Sequence, residues 1–291
     1  MLRTLSVFIV GALLSSALVA SEKGAVSWEV NAEFSGVGNA TFRRSSDIGN
    51  VSALDMHFDA IASIQVKPAF LLRLGFQLER FDFSLPDSAP LPNNLESLAL
   101  VVGGDFQLGD AWLVRCDLHP GFYSANGHLD GGDFNIPLTA GGSYFVNPDL
   151  QLVIGLSLDV HRKYSVLPAA GLRWKFAREW VLNAILPTPR LEYLFSPALT
   201  LYIGADFRGE TYRVDGAFGR AHGLPKLNNA FVDYTQIRVG GGASWKINQY
   251  LTAELEAGCV PVHDFDFHRA DIAVRAQDIS AYARIGLQMQ F

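Results

Sequence analysis

The chain has 291 residues, 49% of them hydrophobic and 18% charged, with a mean hydropathy of +0.17 and a formal net charge of −6. The negative balance argues against nucleic acid as a partner. The hydrophobicity is high for a water-soluble protein, yet no stretch after residue 20 approaches the ~20 consecutive apolar residues of a membrane helix.

Residues 1–20 read as a secretory signal peptide, with Arg3 as a short basic region, Leu5 to Leu18 as an apolar core and Val19-Ala20-Ser21 as a small-residue cleavage site. From residue 21 to 291 the apolar residues are dealt out at every second position, which is the pattern of a strand with two unlike faces. Leu54, Met56, Phe58 and Ala60 share one face of the second predicted strand, and Asp55, His57 and Asp59 the other. The same alternation runs through Phe70–Leu78, Leu150–Val160 and Leu199–Phe207.

Two kinds of connection separate these strands. Lys67-Pro68, Gly109-Asp110, Asn147-Pro148-Asp149, Arg178-Glu179, Ser196-Pro197 and Asn248-Gln249 are short turns. Arg43 to Gly49, Ser84 to Asn94, Ser124 to Asp133, Asp215 to Asn229 and His263 to Gln277 are longer and polar, with tighter examples at Arg162 to Ser165 and Pro187 to Pro189. This predicts an all-β fold, an antiparallel up-and-down transmembrane barrel of about 14 strands, with short periplasmic turns and longer outer loops. The count falls to about 12 if the hairpin at Pro187-Thr188-Pro189, whose strands are short, does not span.

Alternation alone does not separate a lipid-facing wall from a soluble sheet. The tryptophans do. Trp28, Trp112, Trp174, Trp180 and Trp245 all fall on the apolar face near a short turn or the mature N-terminus, as a bilayer interface selects. A soluble core would hold its tryptophans in mid-strand. Cys116 and Cys259 follow the same outward alternation on strands far apart, so they read as free thiols rather than a disulfide.

The inward face carries the charge expected to line a lumen: Asp55, Asp59, Arg73, Glu79, Arg115, Asp117, Asp159, Arg173, Lys175, Arg190, Asp206, Arg208, Arg238, Glu254, Glu256 and Arg284. Two outcomes are open, an aqueous pore with a transverse field or an interior cross-braced by ion pairs. Inward glycines such as Gly75, Gly240, Gly242 and Gly258 leave room and favour the pore. Leu71, Leu113, Phe145, Val181 and Leu194 predict an incomplete apolar collar at the periplasmic end, either a constriction that gates or a small satellite core that stiffens the turns.

Sites for chemistry are sparse. His263, Asp264, Asp266 and His268, read as an outer loop, form a weak candidate for a divalent metal. Gly127 to Asp133 is a weak calcium-loop candidate that lacks the ligand count. The pairs His57 with Asp55 and Asp59, His119 with Asp117, and His161 with Asp159 arise freely in a polar lumen, so no enzyme and no cofactor are expected.

The stretch Leu186-Pro-Thr-Pro-Arg190-Leu-Glu-Tyr193, with Leu199-Thr-Leu-Tyr-Ile-Gly204 and Gly209-Glu-Thr-Tyr-Arg213, resembles a family of uncharacterised bacterial outer-membrane β-barrel proteins. The final strand, Ala281 to Phe291, resembles the closing strand of such barrels, in which a terminal aromatic is part of the signal read by the barrel assembly machinery. The resemblance implies a porin-like barrel in the bacterial outer membrane, surrounded by lipid, with Phe291 as assembly signal. The expected activity is passive transport of small polar solutes, the alternative a closed barrel acting through its outer loops.

Overall fold

Fourteen strands close into one antiparallel barrel in a computed structural model that describes residues 26–125, 127 and 130–291. The predicted signal peptide lies outside the described residues. In chain order the strands are β1 (Val26–Arg43), β2 (Asp47–Lys67), β3 (Phe70–Ser84), β4 (Asn94–Leu108), β5 (Trp112–Leu118 and Gly121–Ala125), β6 (Phe134–Asn135 and Leu138–Asn147) and β7 (Leu150–Leu158). They continue as β8 (Val166–Trp174), β9 (Trp180–Asn183), β10 (Arg190–Leu194), β11 (Leu199–Arg213), β12 (Phe231–Lys246), β13 (Leu251–Phe267) and β14 (Ile272–Ala276 and Ser280–Gln290). Each pairs with its sequence neighbour, and β1 pairs with both β2 and β14. Trp28 and Phe291 exchange two backbone hydrogen bonds, of 2.6 and 3.0 Å, at the seam. Closure leaves no sheet edge at the seam, which a strand structure in lipid requires.

The exterior is the apolar face. Ile203 is 63% exposed, Leu255 62% and Ile154 59%, whereas Asp59 and Arg73, on inward positions, are 2% and 3% exposed. A water-soluble sheet would show the opposite distribution, so this wall is built for lipid. The aromatic girdle is present as predicted: all five tryptophans are exposed, and cross-strand pairs form at Trp112–Tyr144 (4.9 Å), Trp180–Tyr193 (5.0 Å) and Phe70–Phe106 (4.8 Å) near the short turns. Cys116 and Cys259 are unpaired thiols on β5 and β13.

One outer loop is shorter than its sequence predicted. The stretch 263–277 is mostly strand, because β13 runs to Phe267 and β14 resumes at Ile272. A bulge explains the difference. Ile237 pairs with Val262 but Val239 with Cys259, so one extra residue of β13 is accommodated around Val260-Pro261. Such an insertion reverses which side chains face inward. Beyond it His263, Phe265 and Phe267 point into the barrel.

The wall has two heights. β1 and β2 have 18 and 21 residues and β11 to β13 have 15, 16 and 17, but β7 and β8 have nine each, β9 four and β10 five. Pro187 and Pro189 supply no N–H for a ladder, which ends the β9–β10 hairpin early. Along the tall side, the barrel above mid-height is filled by an apolar core. Phe42, Phe81, Leu95, Tyr212, Val232, Tyr234, Phe265 and Phe267 pack there with Leu91 from the β3–β4 loop and Phe218 and Leu227 from the β11–β12 loop. That last loop carries the short helix α1 (Phe218–Ala221), whose Phe218 stacks on Phe267 at 6.2 Å.

Two measurements check this architecture. Ile154→Arg places a charge on the lipid face and is expected to lower unfolding stability in lipid by about 2–4 kcal/mol near the midplane, with Ile154→Leu close to wild type. Deleting Phe291 removes both seam hydrogen bonds to Trp28, and is expected to leave protease-sensitive chain in place of a heat-modifiable barrel on gels.

Candidate functional site

The lumen divides into a braced side and an open side. On the side of β10 to β14, charges pair across the barrel. Arg284 reaches Glu33 (2.6 Å), Glu254 (3.0 Å) and Glu256 (2.6 Å), while Arg190 reaches Glu254 and Glu256 at 3.4 and 3.7 Å. Arg208 pairs with Glu33 and, at 2.7 Å, with Asp206. Tyr202 and Tyr282 donate hydroxyl hydrogen bonds to Glu256. The inward glycines do not leave open water here. A Cβ at Gly242 would stand 2.6 Å from the Tyr202 hydroxyl oxygen, and one at Gly240 2.5 Å from that of Tyr282, so the missing side chains admit these phenols.

At the boundary between this network and the apolar core, Arg238 is fully buried against Asp55. Its Nε donates to Gln236 (2.6 Å) and its Nη1 to Ser35 (2.9 Å), whose hydroxyl in turn donates to Asp55 at 2.7 Å. Just above, the Tyr234 hydroxyl and His263 Nε2 lie 2.9 Å apart and Phe42 meets the His263 ring edge-on at 5.0 Å.

On the side of β1 to β8 the lumen is hollow. A cavity of about 350 Å³ is lined by nine carboxylates and five guanidiniums together with His57 and His119. Of the predicted lumen residues, Asp59, Arg73, Glu79, Arg115, Asp117, Asp159, Asp206, Arg208, Glu254 and Arg284 line it. Asp55, Arg190, Arg238 and Glu256 belong to the braced network, and Arg173 faces Glu192 at 3.6 Å. Lys175 is the exception: β8 ends at Trp174, and Lys175 is exposed in the following turn. Within the cavity Arg73 lies 3.5 Å from Glu29 and 3.4 Å from Asp117, and Arg115 forks onto Asp105 at 2.6 and 2.7 Å. The cavity extends to Ser143 and Gln288, close to the inner ends of β6 and β14.

The low wall gives this cavity a side opening. β8 and β9 share only the pairs Arg173–Asn183 and Trp174–Leu182, with one further bond from Ala184 N to Leu172 O. On the other flank the hairpin tip ends where Pro187 O accepts from Phe207 N. Above that level β8 and β11 do not pair with each other, the outer end of β11 meeting β5 instead at Arg213–Ser124, and Ala169 and Ala170 from one and Gly209 and Glu210 from the other line the cavity. A transmembrane strand takes about 9–11 residues, so the hairpin stops short of the outer edge of the hydrocarbon layer. The β7–β8 loop bridges the gap from above. His161 stacks on Phe231 of β12 at 4.2 Å, Lys163 N donates to Asp233, and Lys163 Nζ pairs with Asp266 at 2.9 Å. Burial against this surface holds the His161 imidazole below its ordinary pKa.

The outer mouth, by contrast, is capped by the apolar core. The lumen therefore narrows at the outer end rather than at the predicted periplasmic collar. Of the collar residues only Val181 is buried, Phe145 is 36% exposed, and none lines the cavity. Phe81 and Phe83 share the parity of Glu79, and Tyr234 that of Arg238, but their gathering into one plug depends on which strands face each other.

The other candidate sites are dispersed. Of the metal candidates, His263 points inward into the plug, Asp264 faces Arg275 (3.7 Å), Asp266 pairs with Lys163, and His268 lies 3.3 Å from Asp233. Among the described residues no three His, Cys, Asp or Glu side chains gather to hold a metal. In the calcium-loop candidate, Asp130 and Asp133 cap a short 3-10 turn and receive Arg213 at 3.0 and 3.4 Å. His57 contacts Asp59 at 3.0 Å, and His119 lies 3.4 Å from the Thr139 hydroxyl.

No known protein-family profile matches the chain, and no curated protein matches it. Among solved structures, it is similar to the COG4313 outer membrane channel from Pseudomonas putida F1, at 13% identity, 94% coverage of this chain, 97% of that one, and a TM-score of 0.50. It is also similar to a deletion mutant of TodX, a monoaromatic hydrocarbon channel, at 9% identity, with coverage of 94% and 92% and a TM-score of 0.53. At these identities the likeness is one of fold.

The Arg238–Asp55 pair yields a prediction. Asp55→Ala leaves a buried guanidinium without its counter-charge, and is expected to cost about 3–5 kcal/mol in urea unfolding. The double change Asp55→Ala, Arg238→Met is expected to recover most of that loss.

Proposed function

We propose that this protein is a bacterial outer-membrane channel for small solutes, with the hollow side of the lumen as its transit compartment. The observation that supports this most directly is a charge-lined cavity inside a lipid-facing barrel, continuous with an opening between β8 and β11. Buried charge in this amount is costly unless paired or hydrated, and a purely structural barrel would gain nothing from leaving a cavity in it. The capped outer mouth means that the route between the cavity and the outside is the side opening, while the inner end of the cavity lies close to the periplasmic rim. The architecture shared with two channel structures is compatible with this reading and does not specify the solute.

The cap also supports a second reading, a closed barrel that works through its outer loops. Single-channel recording of the refolded protein in a planar bilayer separates the two, since a channel gives steady conductance and a closed barrel gives none. The route is tested with Ala169→Trp, which fills the β8 edge of the opening from the inside. Conductance is expected to fall several-fold with heat-modifiability unchanged. Unchanged conductance would mean that solutes pass through the capped mouth instead.

A further inference from the structure

The charges lining the cavity are not balanced, and the imbalance is local. Arg73, Arg115, Arg208 and Arg284 each sit in an ion pair with at least one carboxylate. Three cavity carboxylates form no ion pair among the described residues: Glu79 on β3, Asp159 at the end of β7, and Glu210 on the β11 edge of the opening. Their partners are neutral donors and, for Glu79 and Glu210, one another. The Tyr212 hydroxyl lies 2.8 Å from Glu210 and 3.4 Å from Glu79, Ser97 donates to Glu210 at 3.1 Å, and Asn135 and the His161 N–H each donate to Asp159 at 2.9 Å. All three carboxylates lie within electrostatic reach of the Tyr123 hydroxyl. Arg162 lies within electrostatic reach of Asp159, Asp233 and Glu210, and the lining as a whole carries nine carboxylates against five guanidiniums.

A second observation in the same cavity comes from its inner end. Ser143 is 1% exposed and lines the cavity, yet its hydroxyl has no hydrogen-bond partner. A buried hydroxyl is ordinarily satisfied, so this one is available to whatever occupies the space.

On the strength of the channel reading, we propose that the lumen selects small organic cations of the alkylammonium or guanidinium class. The excess of carboxylates over guanidiniums attracts a positive group, the phenol ring of Tyr123 on the cavity wall suits a cation better than an anion, and Ser143 offers a hydrogen bond further in. A bare metal ion fits poorly, because the carboxylates do not converge into a coordinating group. An anionic solute would meet net repulsion from the same excess.

The test uses the refolded full barrel in planar bilayers under a KCl gradient, followed by replacement of K⁺ with guanidinium. The expected result is a K⁺ over Cl⁻ preference of roughly tenfold, the low end of the enrichment that a one-sign cleft produces, with guanidinium carrying current. In the variant Glu79→Gln, Glu210→Gln the preference is expected to fall toward unity while conductance and heat-modifiability persist. Ser143→Ala is expected to change guanidinium current more than K⁺ current. Conductance with no cation preference, or with a preference that survives the double variant, overturns the assignment and leaves the channel reading standing. Absence of any current from folded barrel overturns the channel reading and this assignment with it.

Discussion

The alternation of apolar and polar residues along each strand is the constraint on which everything else rests. Lipid offers no hydrogen bonds, so the backbone must satisfy itself by closing into a ring. Closure forces every second side chain into a confined interior. Once those inward positions carry carboxylates and guanidiniums, their arrangement is decided by charge pairing at short range. The β10–β14 side solves this with a continuous network through Arg284, Arg208 and Arg190, in which tyrosine hydroxyls occupy the space above glycines. The opposite side leaves part of the interior open.

The difference between the two sides follows from wall height. Tall strands project their inward side chains above the membrane level, and there the favoured content is apolar: Phe81, Tyr234 and Phe265 form a plug that a shorter barrel would have no room to build. The short strands β7 to β10 contribute nothing to that plug. The hollow and the side opening lie next to these strands.

Much of this was legible in the sequence. The strand alternation, the six short turns, the tryptophan girdle and the unpaired cysteines all follow from residue type and spacing, because each depends on local geometry. The inward positions of Asp59, Arg73 and Glu79 are equally readable from parity. What parity does not carry is the angular position of a strand around the ring. Arg190 and Glu254 are far apart in sequence and meet only because β10 and β13 curve toward one another. The difference at 263–277, strand where the sequence predicts loop, has a narrower cause. A single inserted residue near Val260-Pro261 inverts the pattern, and an inverted pattern of histidines, aspartates and phenylalanines looks like polar loop. Parity places Lys175 in the lumen because it does not show where a strand stops.

The two seam hydrogen bonds between Trp28 and Phe291 have a consequence for the order of events. Pairing along a β-meander proceeds between sequence neighbours, so apart from the Ser124–Arg213 bridge between β5 and β11, thirteen of the fourteen interfaces around the ring need only local contact. The last one joins the first described strand to the final residues of the chain, and it exists only after the whole sheet has curled. Arg284 of β14 and Glu33 of β1 lie on the two strands of that seam. The braced network is therefore incomplete until the ring shuts, and the charges of an unclosed sheet remain facing water until the moment of closure.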